Sequence, residues 1–137
     1  MEALLGKLAD WLFGWRMRKR KVNGHLLLIR AEINQAIDRA NAYPTAPKAP
    51  AWRCITEAYD SEFISLAGEG VFDSNGIAAI KGAFADMVDF NRCLDYVNEA
   101  RGTSDHKGQV ERAVIKAGHV TKSAPEALAV VDAALTR

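Results

Sequence analysis

The chain has 137 residues, 49% of them apolar and 26% charged, with a formal net charge of +1. This is enough chain for one domain with a modest core, and the composition excludes disorder over the whole length. The near-neutral total hides an asymmetry: residues 1–21 carry six basic and two acidic side chains, a local +4, while the remainder carries 12 basic and 15 acidic, a local −3. A mildly acidic body with positive charge at one end points to an anionic partner for the N-terminus, either a membrane surface or nucleic acid.

The first segment reads Met-Glu-Ala-Leu-Leu-Gly-Lys-Leu-Ala-Asp-Trp-Leu-Phe-Gly-Trp. A spanning helix needs about 20 mostly apolar residues, and here Lys7 and Asp10 interrupt the run. A secretory signal places its positive charge before the apolar region, the reverse of what is found. Leu4, Leu5, Leu8, Trp11, Leu12 and Trp15 fall instead at three- and four-residue steps, the stripe of an amphipathic helix. Arg16, Arg18, Lys19, Arg20 and Lys21 follow at once, five cations in six positions. Indole rings favour the headgroup region, and cations beside an anionic membrane contribute about 1 kcal/mol each. The six apolar residues are therefore candidates for a membrane interface and the five cations for anion binding. Two other uses of the stripe stand beside this one: packing on the protein's own core, and a seam with a second copy.

A second helix is expected from about Val22 to Tyr43, with Leu26, Ile29, Ile33, Ala36, Ile37 and Ala40 on one face. Gly24 is a weak point, costing about 1 kcal/mol relative to alanine, so the chain either bends there or continues as one helix from the start. Pro44, Pro47 and Pro50 end the helix in an extended connection. A third helix is expected from Ala51 to about Ala67, marked by Trp52, Ile55, Tyr59, Phe63 and Leu66, and broken at Gly68-Glu-Gly70. Asp73-Ser-Asn-Gly76 has turn and N-cap chemistry. The clearest helix runs from about Ile77 to Ala100, with Ile80, Phe84, Met87 and Leu94 in register and Gly102 as its stop. A fifth helix is expected from Ser104 to Ala117. Ser123-Ala-Pro-Glu126 has the form of a capping box and should open a short last helix, Ala-rich and lightly packed. The expected fold is all-α, a small bundle of about five helices, with residues 1–21 as an amphipathic basic segment and 22–137 as a single helical domain.

No residue pattern points to catalysis. There is no Walker loop and no GxGxxG, and His25, His106 and His119 form no HxxxH or HExxH pair. The carboxylates Glu57, Asp60, Glu62, Asp86 and Asp89 read as solvated helix faces rather than as an acid–base pair. Cys54 and Cys93 lack disulfide or zinc spacing and read as packed free thiols, which fits a reducing, cytoplasmic compartment. Asn91 interrupts an apolar stripe, either at a half-exposed helix edge, the simpler reading, or as a buried residue that sets register. No cofactor and no metal are expected.

The apolar segment, the basic run Arg16–Lys21, the helix Leu26-Leu-Leu-Ile-Arg-Ala-Glu-Ile-Asn34 and a connection ending Pro50-Ala51-Trp52 follow one another in an order that resembles small uncharacterised bacterial and phage proteins with an N-terminal membrane anchor. The resemblance covers roughly residues 1–98. It implies attachment to a membrane and no activity, and the chain departs from it in lacking a full spanning segment. The expectation is a non-enzymatic, membrane-surface interaction protein, cytoplasmic and peripheral, which could self-associate. The alternative is a soluble helical adaptor or phage-encoded inhibitor that binds a protein or nucleic acid through the same basic end.

Overall fold

The computed structural model describes residues 2–45 and 53–137, with only the backbone of Glu2. These form an all-α bundle of four helices without strands: α1 (Glu2–Ala42), α2 (Glu57–Gly68), α3 (Ser74–Glu99) and α4 (His106–Leu135). A single 3-10 turn, Tyr43–Thr45, follows α1. Trp52, expected on the face of the third helix, lies outside the described residues.

The count is four rather than about five because segments expected to be separate are continuous. α1 runs through Gly24, and its 41 residues span about 60 Å at 1.5 Å per residue. The two C-terminal helices likewise merge into the 30 residues of α4. Ser123 does not cap a helix; it lies inside one, and its hydroxyl donates to the His119 carbonyl at 3.0 Å. Pro125 also sits inside α4, where it removes one backbone bond at a cost of roughly 3 kcal/mol. Burial overrides that cost. Ala113, Ala117, Val120, Ala124, Ala127 and Val131 are all fully buried at helical spacing, so the buried stripe passes straight across the proline, which faces solvent.

The Ala-rich stretch after Ser123 was expected to pack lightly, and it is instead the second half of α4, the central helix of the bundle. That helix runs along both α3 and the second half of α1. Its alanines carry no bulk beyond Cβ and let both neighbours approach closely, which small residues at a helix interface allow. Against them pack Leu26, Ile29 and Ile33 from α1 and Ile80, Phe84, Met87, Phe90 and Leu94 from α3. The short α2 closes one side through Phe63 and Leu66, with Tyr59 stacked on Phe84 at 4.1 Å between ring centroids.

α2 begins at Glu57, six residues later than expected, because the chain before it is committed elsewhere. Asn91 is buried, not half-exposed. Its amide accepts from the Cys54 N–H at 2.7 Å and donates to the Cys54 carbonyl at 2.9 Å, clamping the extended segment onto α3. Thr56 makes no side-chain cap to α2. The first turn is instead satisfied by Glu32 of α1, whose two carboxylate oxygens accept from the N–H groups of Ala58 at 2.9 Å and Tyr59 at 3.0 Å. Burial pushes this carboxyl above its ordinary range, partly offset by those two bonds. α2 ends in a Schellman motif: Gly70 at φ 75° donates to Ala67 and Val71 donates to Leu66. Asp73 caps α3 as expected, accepting from the Gly76 N–H at 2.7 Å, but Gly76 is helical rather than in a turn.

Two outcomes follow from the Asn91 clamp. Asn91→Ala leaves the Cys54 N–H and carbonyl buried without partners, and should lower unfolding free energy in urea by about 3 kcal/mol, two bonds at the usual penalty for stranded groups; a loss under about 1 kcal/mol would mean that the segment finds other partners. Burial also pushes the Cys54 thiol up to about 11. A raised thiol contributes stability below its unfolded value of about 8.5 and loses it as pH climbs towards the folded value. Stability should therefore fall above about pH 8.5, and alkylation of Cys54 at pH 8 should require opening of the fold.

Candidate functional site

Every apolar side chain singled out in the first segment is exposed. Leu4 (73%), Trp11 (60%) and Trp15 (46%) mark its length, and Leu5, Leu8 and Leu12 lie with them. Residues 3–21 contribute nothing to the buried core, whose first members on α1 are the partly buried Val22 and the fully buried Leu26. The part of α1 before Arg18 thus projects from the bundle by about 25 Å, some sixteen residues at 1.5 Å each. Packing on the protein's own core, one of the three uses open to the stripe, is overturned.

Two further residues belong with these six. Phe13 is 67% exposed and Met17 is 50% exposed. Neither falls on the three–four stripe, so periodicity passed over them. What signals Phe13 in the sequence is the near absence of charge around the helix, since between Ala3 and Trp15 only Lys7 and Asp10 are charged; Met17, between Arg16 and Arg18, has no such signal. Eight large apolar side chains on one projecting segment form the kind of exposed patch that soluble monomers rarely leave uncovered.

Arg16, Arg18, Lys19, Arg20 and Lys21 are exposed on the next turns of the same helix. Lys19 places its Nζ 5.2 Å from the centre of the Trp15 ring, a cation–π contact that joins the aromatic and basic parts of the segment. The five cations do not share one environment. Arg18 and Lys21, with His25, line a cleft of about 140 Å³ whose other wall is Glu62, Ser65 and Glu69 of α2. His25 Nδ1 lies 2.6 Å from Glu62 Oε2, off the line of a well-aligned hydrogen bond. Arg16, Lys19 and Arg20 are not part of that cleft. Part of the positive charge therefore faces carboxylates across a cleft, and the rest faces solvent.

A second exposed apolar area lies on the body. Leu28, Ala31 and Gln35 of α1 and Ile55, Ala58 and Ser61 line a shallow groove of about 450 Å³ with Glu32 and Glu57. Leu27 and Ile64 are exposed as well. Of the carboxylates read as solvated faces, Glu57 and Asp60 are exposed, while Glu62, Asp86 and Asp89 are partly buried, Glu62 at His25. Cys54 and Cys93 are buried free thiols.

Among the described residues, no group of three or more His, Cys, Asp or Glu side chains is placed to hold a metal ion, and no helix is long and apolar enough to cross a membrane. No known protein family, curated protein or solved structure matches the chain.

The projection makes a direct expectation about stability. Removing residues 2–21 takes away no buried side chain, so the truncated chain should unfold within about 0.5 kcal/mol of the full one, the range of surface changes, while becoming more soluble. A loss of several kcal/mol in urea unfolding would place these residues in the core after all.

Proposed function

We propose that this is a non-enzymatic protein that attaches to an anionic membrane surface through the first half of α1, with Leu4, Leu5, Leu8, Trp11, Leu12 and Trp15 in the lipid interface and the basic cluster at the headgroups. The observation that carries the reading is the projection itself: eight large apolar side chains stand free of the bundle and run directly into five cations on one helix. Tryptophan beside lysine and arginine suits the boundary between acyl chains and headgroups, where the ring is apolar and its N–H can stay hydrated. Among the described residues no helix is long and apolar enough to cross a membrane.

A duplex nucleic acid would use the cations but not the leucines and tryptophans next to them. It also favours a broad basic face, whereas the sequence after Lys21 is net acidic. A protein partner has more in its favour, since the groove between Leu28 and Ile55 gives the body an apolar surface of its own. The reading as a helical adaptor rests on that groove.

Flotation with phosphatidylcholine vesicles, with and without phosphatidylserine, tests the membrane reading. The protein should float with the anionic vesicles, less in high salt, and not at all after deletion of residues 2–21. Replacing Arg16, Lys19 and Arg20 together by glutamine should weaken binding on the order of a hundredfold, at about 1 kcal/mol per cation. If the folded protein stays at the bottom with both vesicle types, the anchor is wrong and the search turns to protein partners.

A further inference from the structure

The residues proposed to meet the membrane lie on the same face of α1 as the bundle. Leu4, Leu8, Trp11 and Trp15 are followed seven residues on by Val22, and then by Leu26, Ile29, Ile33, Ala36 and Ala40, all in steps of three and four along one unbroken helix. The later members of this stripe are covered by the bundle and the earlier ones are bare. If α1 lay flat with the bare stripe in the bilayer, the bundle would have to sink in with it. Packed helices stand about 8–10 Å apart, so the body would displace at least that depth of lipid. The part nearest the projection carries Glu62 and Glu69, and sinking these with a whole bundle costs more than the one Lys7–Asp10 pair that a bare tip carries in.

A second observation removes the flat arrangement from the other side. A helix that lies in the interface turns a charged face to water. Here the side away from the stripe carries Phe13 and Met17, both at least half exposed. Phe13 thus adds a large apolar side chain on the side away from the stripe, a side it shares with Asp10, and Met17 adds another within the basic run.

Resting on the membrane reading above, we propose that α1 enters an anionic bilayer tip first, steep to the membrane plane, so that Phe13 contacts lipid as Trp11 does, Met17 lies at the headgroups beside Trp15, and the bundle stands outside them. Residues 3–15 cover about 20 Å of helix axis, against an acyl core of about 30 Å, so the tip does not cross the bilayer, and the tilt that keeps Glu2 from its centre sets how deep it goes. Trp15 and the cations from Arg16 to Lys21 then come to the headgroup level. Lys7 and Asp10 sit three residues apart on one edge of the helix, where opposite charges face each other, and the lysine stem can reach towards the surface.

The test is depth-resolved quenching of single tryptophans by lipids brominated at shallow or deep acyl positions, in mixed phosphatidylcholine and phosphatidylserine vesicles. Trp52→Phe is the common background. Adding Trp15→Phe leaves position 11, adding Trp11→Phe leaves position 15, and Trp11→Phe with Trp15→Phe and Phe13→Trp reports position 13. These positions are exposed, so none of the changes on α1 touches the core. Tip-first entry gives depths that fall in chain order, 11 then 13 then 15, with all three losing intensity to bromine. Equal depths at 11 and 15 with position 13 unquenched would overturn the tip-first geometry and leave the anchor standing. Failure of all three variants, and of the wild type, to float with these vesicles would overturn both.

Discussion

The molecule is organised by the continuity of one helix. α1 carries a single apolar stripe from Leu4 to Ala40, and the rest of the chain covers only its second half. A break at Gly24 would have allowed the first segment to fold back over α2 or α4 and satisfy itself. The helix does not break because the residues on both sides of Gly24 are helix-compatible, and because Val22 and Leu26 are already held by the body. One glycine costs about 1 kcal/mol, too little to end a helix tied down on one side. The exposed half is thus a consequence of stiffness: what is anchored at Leu26 must point outward at Trp15.

The body that holds α1 owes its definition to a few polar contacts on a small-residue core. Alanines on α4 bring three helices close, but alanine surfaces are smooth and do not by themselves choose a register. Asn91 and Glu32 supply it. One ties the segment at Cys54 to α3, the other ties the first turn of α2 to α1, and both satisfy backbone groups that would otherwise be stranded. Surface pairs such as Arg30–Asp132 and Arg53–Asp95 contribute little beside them, because exposed ion pairs are worth at most about 1 kcal/mol.

The helical periodicities were legible in the sequence, and so were the core faces of α1 and α3, the cap at Asp73 and the free thiols. What could not be read locally is decided by tertiary packing. Ser123 and Pro125 give a strong helix-start signal, and it loses to a buried stripe that only becomes visible once α1 and α3 are in place. Asn91 has the sequence look of a helix edge, and its partner lies 37 residues away. For the candidate site, the stripe and the cations are local features and could be named from spacing. Whether the stripe was covered could not, since that depends on where α2–α4 end. Phe13 and Met17 were missed for a different reason: a search for one face passes over residues on the other.

Under the proposed membrane attachment, the charge distribution would also give the projecting helix a direction. Across the cleft at its base, Arg18, Lys21 and His25 face Glu62 and Glu69, so the acidic rim of the body is partly neutralised by the same cluster that adjoins the tryptophans. Without those cations, carboxylates standing next to an anionic surface would be repelled. With them, the body can approach to within a headgroup layer while Arg16, Lys19 and Arg20 remain turned elsewhere. On the proposed membrane reading the cluster would have two tasks on successive turns of one helix, offsetting the body's own negative charge and meeting negative charge from outside. A run of five cations makes sense on those terms, where a purely electrostatic anchor on a neutral body would have needed fewer.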